Sequence, residues 1–165
     1  MSEIIILVGP PCSGKSTFVK ELIENRPDKN YVVISSDNLL EEYAKENDSS
    51  YNEVLSTVGL KPFESKMFKK FYEEVQKGSN LVIDRTNMKV SLRNKFMIPC
   101  LNDKNKRYTD YTAVVFSQPL DVLFERNKIR NELTGKNIPK VAFYSMIKNF
   151  EEPTNEEGFT EIIHQ

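Results

Sequence analysis

The sequence has few of the residues that bind transition metals or build disulfide frameworks. Its 165 residues include two cysteines and one histidine. Zinc and similar metals need clusters of such side chains, so we expect no Cys/His metal site. We expect Cys12 and Cys100 to be reduced thiols that pack as small apolar side chains, as in cytosolic proteins. His164 lies one position before the C-terminus, where a surface residue is the simplest expectation.

Long apolar runs and an excess of one charge are also absent. No apolar run approaches the roughly 20 residues that span a bilayer, and the N-terminus has no signal-peptide pattern. We therefore expect a cytoplasmic protein with no membrane partner, or one in the host cytosol if the source is a virus. The 23 Lys and Arg against 24 Asp and Glu leave a formal net charge of −1. This balance gives no general attraction for nucleic acid, so a polyanionic substrate must meet a local basic patch.

One segment carries a strong functional signal. It matches the G-x-x-x-x-G-K-[ST] phosphate loop of ATP- and GTP-binding proteins, in the residues Gly9, Pro10, Pro11, Cys12, Ser13, Gly14, Lys15, Ser16 and Thr17. An apolar run over 3–8 predicts a buried strand before it, and a helical pattern follows from residue 17. In this motif Lys15 contacts the β- and γ-phosphates and the Ser16 hydroxyl binds Mg²⁺. The sequence thus predicts nucleoside triphosphate binding, and a glycine turn that binds nothing is the alternative.

Apolar runs and helical patterns alternate along the chain. This alternation predicts an α/β fold, a parallel sheet of four to five strands flanked by helices on both faces. The predicted strands cover 3–8, 31–35, 81–84, 111–116 and 161–163, and the later helices begin near residues 38, 62, 91, 120 and 141. Residues 47–59 are predicted to be an irregular surface loop, and 134–139 a break between two helices. No linker or repeat interrupts the pattern, so we expect one domain over 1–165.

Further candidate residues follow the second and third strands and lie on a later helix. Asp37 is placed to act as general base for an attacking hydroxyl, or to cap the helix that begins there. Asp84 stands at the end of the third strand, a position typical of a partner of nucleotide-bound Mg²⁺. Asn87 is the type of residue that holds the loop after this strand by local hydrogen bonds. Arg126 and Arg130 lie four residues apart, so they share a helical face that either closes over the phosphates or is simply solvated.

These segments resemble the kinase domain of the phage and animal polynucleotide kinase/phosphatase enzymes. The resemblance runs nearly end to end through the phosphate loop, S-D-N-L at 36–39, I-D-R-T-N at 83–87, and N-F-E-E-P-T with E-G-F at 149–159. It implies a P-loop kinase that transfers the γ-phosphate of ATP, with Mg²⁺, to the 5′-hydroxyl of DNA or RNA.

The same resemblance implies a role for each candidate residue. Lys15 and Ser16 would hold the phosphates and Mg²⁺, together with Asp84, and Asp37 would activate the 5′-hydroxyl. Arg126 and Arg130 would lie on a lid, a helical segment that closes over the phosphates. The acceptor side would be formed by Asp84, Arg85, Thr86 and Asn87. A separate phosphatase and ligase would complete nucleic-acid repair.

One position departs from the family pattern. Leu40 stands where the phage enzymes have an arginine that holds the acceptor phosphate. The candidate replacements are Arg85, Lys89 and Arg93, and Lys66, Lys69 and Lys70 either extend a basic track or form a solvated face. Two alternatives therefore stay open. One is a kinase for another hydroxyl, in a nucleoside, a small metabolite or a modified base in DNA, and the other is a nucleotide-binding switch or ATPase.

Overall fold

The computed structural model describes residues 1–165 and contains a five-stranded parallel sheet. The strands are β1 Ser2–Val8, β2 Val32–Ile34, β3 Leu81–Ile83, β4 Tyr108–Val115 and β5 Glu161–His164. Their spatial order is β2-β3-β1-β4-β5, and every pairing is parallel. The predicted α/β sheet is confirmed. The strand bounds differ from the prediction by one to three residues, most at β4, which begins at Tyr108.

Helices cover both faces of the sheet. They are α1 Lys15–Asn25, α2 Ser36–Glu46, α3 Tyr51–Thr57, α4 Lys61–Lys77, α5 Val90–Leu101, α6 Leu120–Thr134 and α7 Lys140–Lys148. Alternate residues of β1 point to opposite faces, as the period of a strand requires. Ile4 and Ile6 join a large core with Phe71 of α4 and Phe96 of α5. Ile5 and Leu7 pack with Val19 of α1 in a second core. None of these helices combines the length and the apolar composition that a membrane span requires.

Two local predictions around α2 and α3 are wrong. The segment 47–59 contains α3, which begins with a reciprocal capping box between Ser50 and Glu53. Its buried residue Val54 packs with Leu40 of α2 and Phe63 of α4, so tertiary contacts stabilise a helix too short to form alone. The cap of α2 is Ser35, whose Oγ accepts from the Asn38 amide at 3.3 Å. Asp37 lies in the first turn of α2 and is free of the capping role.

A buried ion pair ties the C-terminal segment to α5. Arg93 is fully buried, and its Nε and Nη2 each donate to a carboxylate oxygen of Glu157 at 2.8 Å. Its Nη1 donates to the Asn87 carbonyl at 3.0 Å. The prediction that Arg93 contacts an acceptor is therefore wrong, because its guanidinium is enclosed and occupied within the fold.

We expect Arg93→Ala to lower the free energy of unfolding by about 3–5 kcal/mol, because it leaves the Glu157 carboxylate buried without its partner. Equilibrium denaturation with urea measures this loss. Lys95→Ala is the matched control, since Lys95 is an exposed cation of the same helix, and its effect should stay within about 0.5 kcal/mol. Equal effects of the two substitutions would contradict the structural role of the pair.

Candidate active site

The phosphate loop packs tightly between β1 and β4. A Cβ on Gly9 would lie 2.9 Å from both the Phe116 Cβ and the Ser13 Oγ, so only glycine fits there. The Gly9 amide donates to the Thr86 carbonyl at 2.9 Å, and the Ser13 hydroxyl donates to the Pro10 carbonyl at 2.7 Å. Gly14 ends the loop with φ 108°, a left-handed conformation that directs the chain into α1. The loop is thus held in one shape at the start of a helix, which is where anions bind.

Lys15 lies over its own loop. Its Nζ donates to the Gly9 carbonyl at 2.8 Å and to the Pro10 carbonyl at 2.6 Å. Burial lowers the pKa of Lys15 to about 8, although the nearby Asp84 carboxylate acts in the opposite direction. The ammonium therefore lacks the solvation that an exposed lysine has. A phosphate anion beside it would provide a favourable electrostatic interaction in place of that solvation.

Two carboxylates lie at the carboxyl ends of β2 and β3. Burial raises the pKa of Asp84, and the Lys15 ammonium opposes that rise. Asp37 is exposed, and both of its oxygens accept hydrogen bonds. Oδ1 accepts from the Tyr51 hydroxyl at 2.9 Å and Oδ2 from the Lys136 ammonium at 3.2 Å. Tyr51 and Lys136 were absent from the sequence-based candidates, since no local motif links either residue to Asp37.

The two arginines of α6 approach the phosphate loop from the other side. The Nη1 of Arg126 donates to the Cys12 carbonyl at 3.1 Å. The Nε and Nη2 of Arg130 are buried and have no hydrogen-bond partner. Buried donors without a partner are costly, and guanidinium donors match phosphate oxygens. The geometry around Arg130 fits a bound anion.

A cavity of about 940 Å³ brings most of the predicted site residues together. Its wall includes residues 11–18 of the loop and α1, and also Asp37, Asp84, Arg85, Thr86, Arg126 and Arg130. Gly9 and Pro10 lie behind this wall, where their carbonyls hold Lys15. Tyr51 and Lys136 also line the cavity. The cavity thus contains a phosphate-binding side and a side with carboxylates.

Several predicted acceptor contacts lie elsewhere or are occupied. Asn87 is buried with φ 46°, and its Nδ2 donates to the Leu7 carbonyl at 2.8 Å, so it holds the loop after β3. Arg85 lies in the wall, but its Nη2 is 2.5 Å from a carboxylate oxygen of Glu64. Leu40 is fully buried, so this position does not contribute to the cavity. His164 is exposed beside Glu152, as expected for a surface residue.

The residues present fit a nucleotide with Mg²⁺. The Ser16 hydroxyl at the start of α1 and the Asp84 carboxylate both line the cavity and would offer the oxygen ligands that Mg²⁺ prefers. The loop amides, Lys15 and the unpartnered donors of Arg130 are suited to phosphate oxygens.

Comparison with known families agrees with this geometry. The profile of the family described as "AAA domain" matches residues 4–153. The chain belongs to the AAA domain family. This AAA domain is 27% identical over 162 residues to the bifunctional polynucleotide phosphatase/kinase of Schizosaccharomyces pombe, covering 97% of this chain and 32% of that protein. The resemblance drawn from the sequence motifs is thereby confirmed.

Other proteins are similar to this chain in sequence or in fold. The L-seryl-tRNA(Sec) kinase of Methanococcus maripaludis is 27% identical over 152 residues, which cover 91% of this chain and 53% of that protein. The chain therefore spans about a third to a half of the length of these curated relatives. A solved structure of shikimate kinase from Acinetobacter baumannii matches with a TM-score of 0.60 at 16% identity, covering 100% of this chain and 84% of that one. The AAA domain thus has the predicted P-loop kinase fold.

We expect nucleotide binding to weaken as the pH rises above the pKa of Lys15. That pKa is about 8 in the free domain, and phosphate anions favour the charged ammonium, so binding takes up a proton at higher pH. The dissociation constant of a non-hydrolysable ATP analogue should rise by up to about tenfold per pH unit between about pH 8 and pH 10. Titration calorimetry over this range measures the effect.

The control is Lys15→Arg, because a guanidinium stays charged throughout this range. Its binding should be weaker overall and should lack this pH dependence. A wild-type dissociation constant that stays flat across the same range would contradict the assigned role of Lys15.

Proposed function

We propose that this AAA domain is an ATP-dependent polynucleotide 5′-hydroxyl kinase. The observation that carries the proposal is the cavity itself, where the Asp37 carboxylate and the unpartnered Arg130 donors meet the phosphate loop. The similarity to a polynucleotide phosphatase/kinase over 97% of the chain supports a nucleic-acid 5′ end as acceptor.

In the proposed reaction the acceptor hydroxyl gains the γ-phosphoryl group of ATP and loses its proton to Asp37. The acceptor hydroxyl oxygen bonds to the γ-phosphorus while the bond from that phosphorus to the bridging oxygen of ADP breaks. The hydroxyl proton passes to an Asp37 oxygen, as general-base catalysis requires. Each carboxylate oxygen has two lone-pair sites, and each Asp37 oxygen uses one in the structure. A site on either oxygen therefore remains for the acceptor.

The cationic groups offset charge on the phosphates. Lys15 would contact the β- and γ-phosphates, and Arg130 and Arg126 would contact the oxygens that gain charge during transfer. Mg²⁺, held by Ser16 and Asp84, would add a further positive charge beside the phosphates when bound. Arg130 already lines the cavity, so its guanidinium lies beside the phosphate side before a nucleotide binds.

A second candidate function is a kinase for a hydroxyl other than a polynucleotide 5′ end. It is favoured by the charges near Asp37, where Arg85 is paired with Glu64 and Lys136 with Glu41 and Asp37. These pairs leave little free positive charge for an acceptor phosphate. The relative described as L-seryl-tRNA(Sec) kinase supports this candidate, because its name describes an acceptor other than a polynucleotide 5′ end.

The deciding experiment is transfer of labelled γ-phosphate from ATP, with Mg²⁺, to a panel of acceptors. The panel contains 5′-hydroxyl DNA and RNA oligonucleotides, the same oligonucleotides with 5′-phosphate ends, free nucleosides and seryl-tRNA. We expect label on the 5′-hydroxyl oligonucleotides and none on their 5′-phosphorylated forms. Label only on nucleosides or seryl-tRNA would support the second candidate and contradict the first.

We expect Asp37→Asn to keep ATP binding and lose transfer. Asparagine has nearly the same shape but cannot accept the hydroxyl proton, so kcat should fall by roughly 10²- to 10⁴-fold. Calorimetry with the ATP analogue and steady-state transfer assays separate the two effects. Glu42→Gln is the control, because it neutralises an exposed carboxylate of the same helix outside the cavity wall. Wild-type turnover in Asp37→Asn would remove Asp37 from the base role.

We expect Arg130→Ala to lower kcat by about 10³-fold or more, because the variant loses the guanidinium that offsets charge during transfer. Its thermal midpoint should not fall, since two donors of Arg130 have no partner within the folded chain. Lys128→Ala, on the same helix outside the cavity wall, is the matched control. Substantial activity in folded Arg130→Ala would overturn its assignment.

A further inference from the structure

The connection between α6 and α7 contacts α2 and α3 across the cavity. The Lys136 ammonium lies 2.6 Å from a Glu41 carboxylate oxygen and 3.2 Å from the Asp37 Oδ2. It also lies 4.1 Å from the centroid of the Tyr51 ring. Only 13% of the Lys136 side chain is exposed. Residues of two helices, α2 and α3, thus surround this one ammonium group.

A second contact fixes the same connection. The Asn52 side-chain amide of α3 donates to the Gly135 carbonyl. Gly135 has φ 72°, and this left-handed residue ends α6 and directs the chain toward α2. Lys136 therefore reaches Asp37 from a backbone that is itself held, although the two residues are 99 positions apart.

The contacts of Asp37 fix the direction of its carboxylate. Lys136 holds one oxygen, and the Tyr51 hydroxyl holds the other at 2.9 Å. Burial raises the pKa of Tyr51, and the Asp37 charge adds to the rise, so the hydroxyl remains a donor at neutral pH. An exposed carboxylate on a surface helix would otherwise rotate between rotamers. Two donors on opposite oxygens keep its remaining lone pairs in a constant direction.

Lys136 also offsets repulsion between two carboxylates. Asp37 and Glu41 are four residues apart on α2, a spacing at which like charges destabilise a helix. The ammonium bridges the two carboxylates, and its positive charge offsets part of their repulsion. A neutral side chain at 136 would leave both carboxylates free to move apart.

We propose that Lys136 is a positioning residue for the phosphoryl transfer, which acts by holding the Asp37 carboxylate toward the acceptor hydroxyl. The inference rests on the proposed function and deepens it, because it assigns to a residue of the α6–α7 connection the orientation of the base. Tyr51 is the second holding group. Neither residue exchanges a proton with the acceptor.

The test compares Lys136→Met with Lys136→Arg and Lys140→Met. Methionine keeps the length of the side chain without its charge, and arginine restores the charge with suitable donors. Lys140 is an exposed lysine whose ammonium lies 4.9 Å from the Phe124 ring centroid and contacts no carboxylate of the cavity, so it controls for the loss of a lysine with an aromatic contact. Each variant is assayed for transfer to a 5′-hydroxyl oligonucleotide, for binding of the ATP analogue, and for thermal stability.

We expect Lys136→Met to lower kcat by roughly 10²-fold, as displacement of a reacting group by about 1 Å does. Its affinity for the ATP analogue should change by less than about threefold, since Lys136 contacts no residue of the phosphate loop. Lys136→Arg should recover most of the activity, and Lys140→Met should match wild type. Wild-type kcat in Lys136→Met would overturn the proposal.

A double-mutant cycle separates positioning from a structural role. In the Asp37→Asn background, Lys136→Met should cost less than about threefold in kcat, because its effect passes through the carboxylate that is already lost. A further 10²-fold loss in that background would show that Lys136 acts independently of Asp37 and would overturn the proposal. A wild-type chain that phosphorylates no hydroxyl acceptor would overturn the proposed function and the positioning role together. An active wild type with an unaffected Lys136→Met overturns the positioning role alone.

Discussion

Strand β1 is hydrogen-bonded in parallel to β3 on one side and to β4 on the other, and the cavity takes its shape from these two pairings. The phosphate loop leaves β1 at Val8, and the Gly9 amide reaches across to the Thr86 carbonyl beyond β3. On the other side Phe116, directly after β4, lies against Gly9. A shift of one residue in either pairing would reverse the faces of the strand and separate the loop from its neighbours.

The charged groups of the cavity show how stability and chemistry are balanced. Lys15 and Asp84 are partly withdrawn from water, which lowers the pKa of the lysine and raises that of the aspartate. The buried Arg130 donors have no partner in the chain. These features lower the stability of the fold, and they leave cationic groups available to bind an anion. Destabilising features of this kind are found at functional sites, where the rest of the fold is stable enough to tolerate them.

The sequence predicted what is encoded locally. The phosphate loop, the strand preceding it and Asp84 were recognisable because their signals lie within a few neighbouring residues. The order of the strands and the role of Arg93 were not recognisable from local signals. Arg93 differs from a surface arginine only through its contact with Glu157, which is 64 positions away. Tyr51 and Lys136 likewise contact Asp37 only through the fold, from 14 and 99 positions away. Ser35 and Asp37 are both residue types that cap helices, so only the backbone geometry could choose between them.

The late position of Glu157 has a consequence for synthesis on the ribosome. Arg93 emerges long before its partner, and β5 at Glu161–His164 closes one edge of the sheet after every other strand has been made. Until those residues leave the exit tunnel, Arg93 of α5 lacks its carboxylate partner and β4 has an open edge. The buried ion pair and the fifth strand can therefore form only after residues 157–164 have left the tunnel, so the last segment of the chain completes the fold.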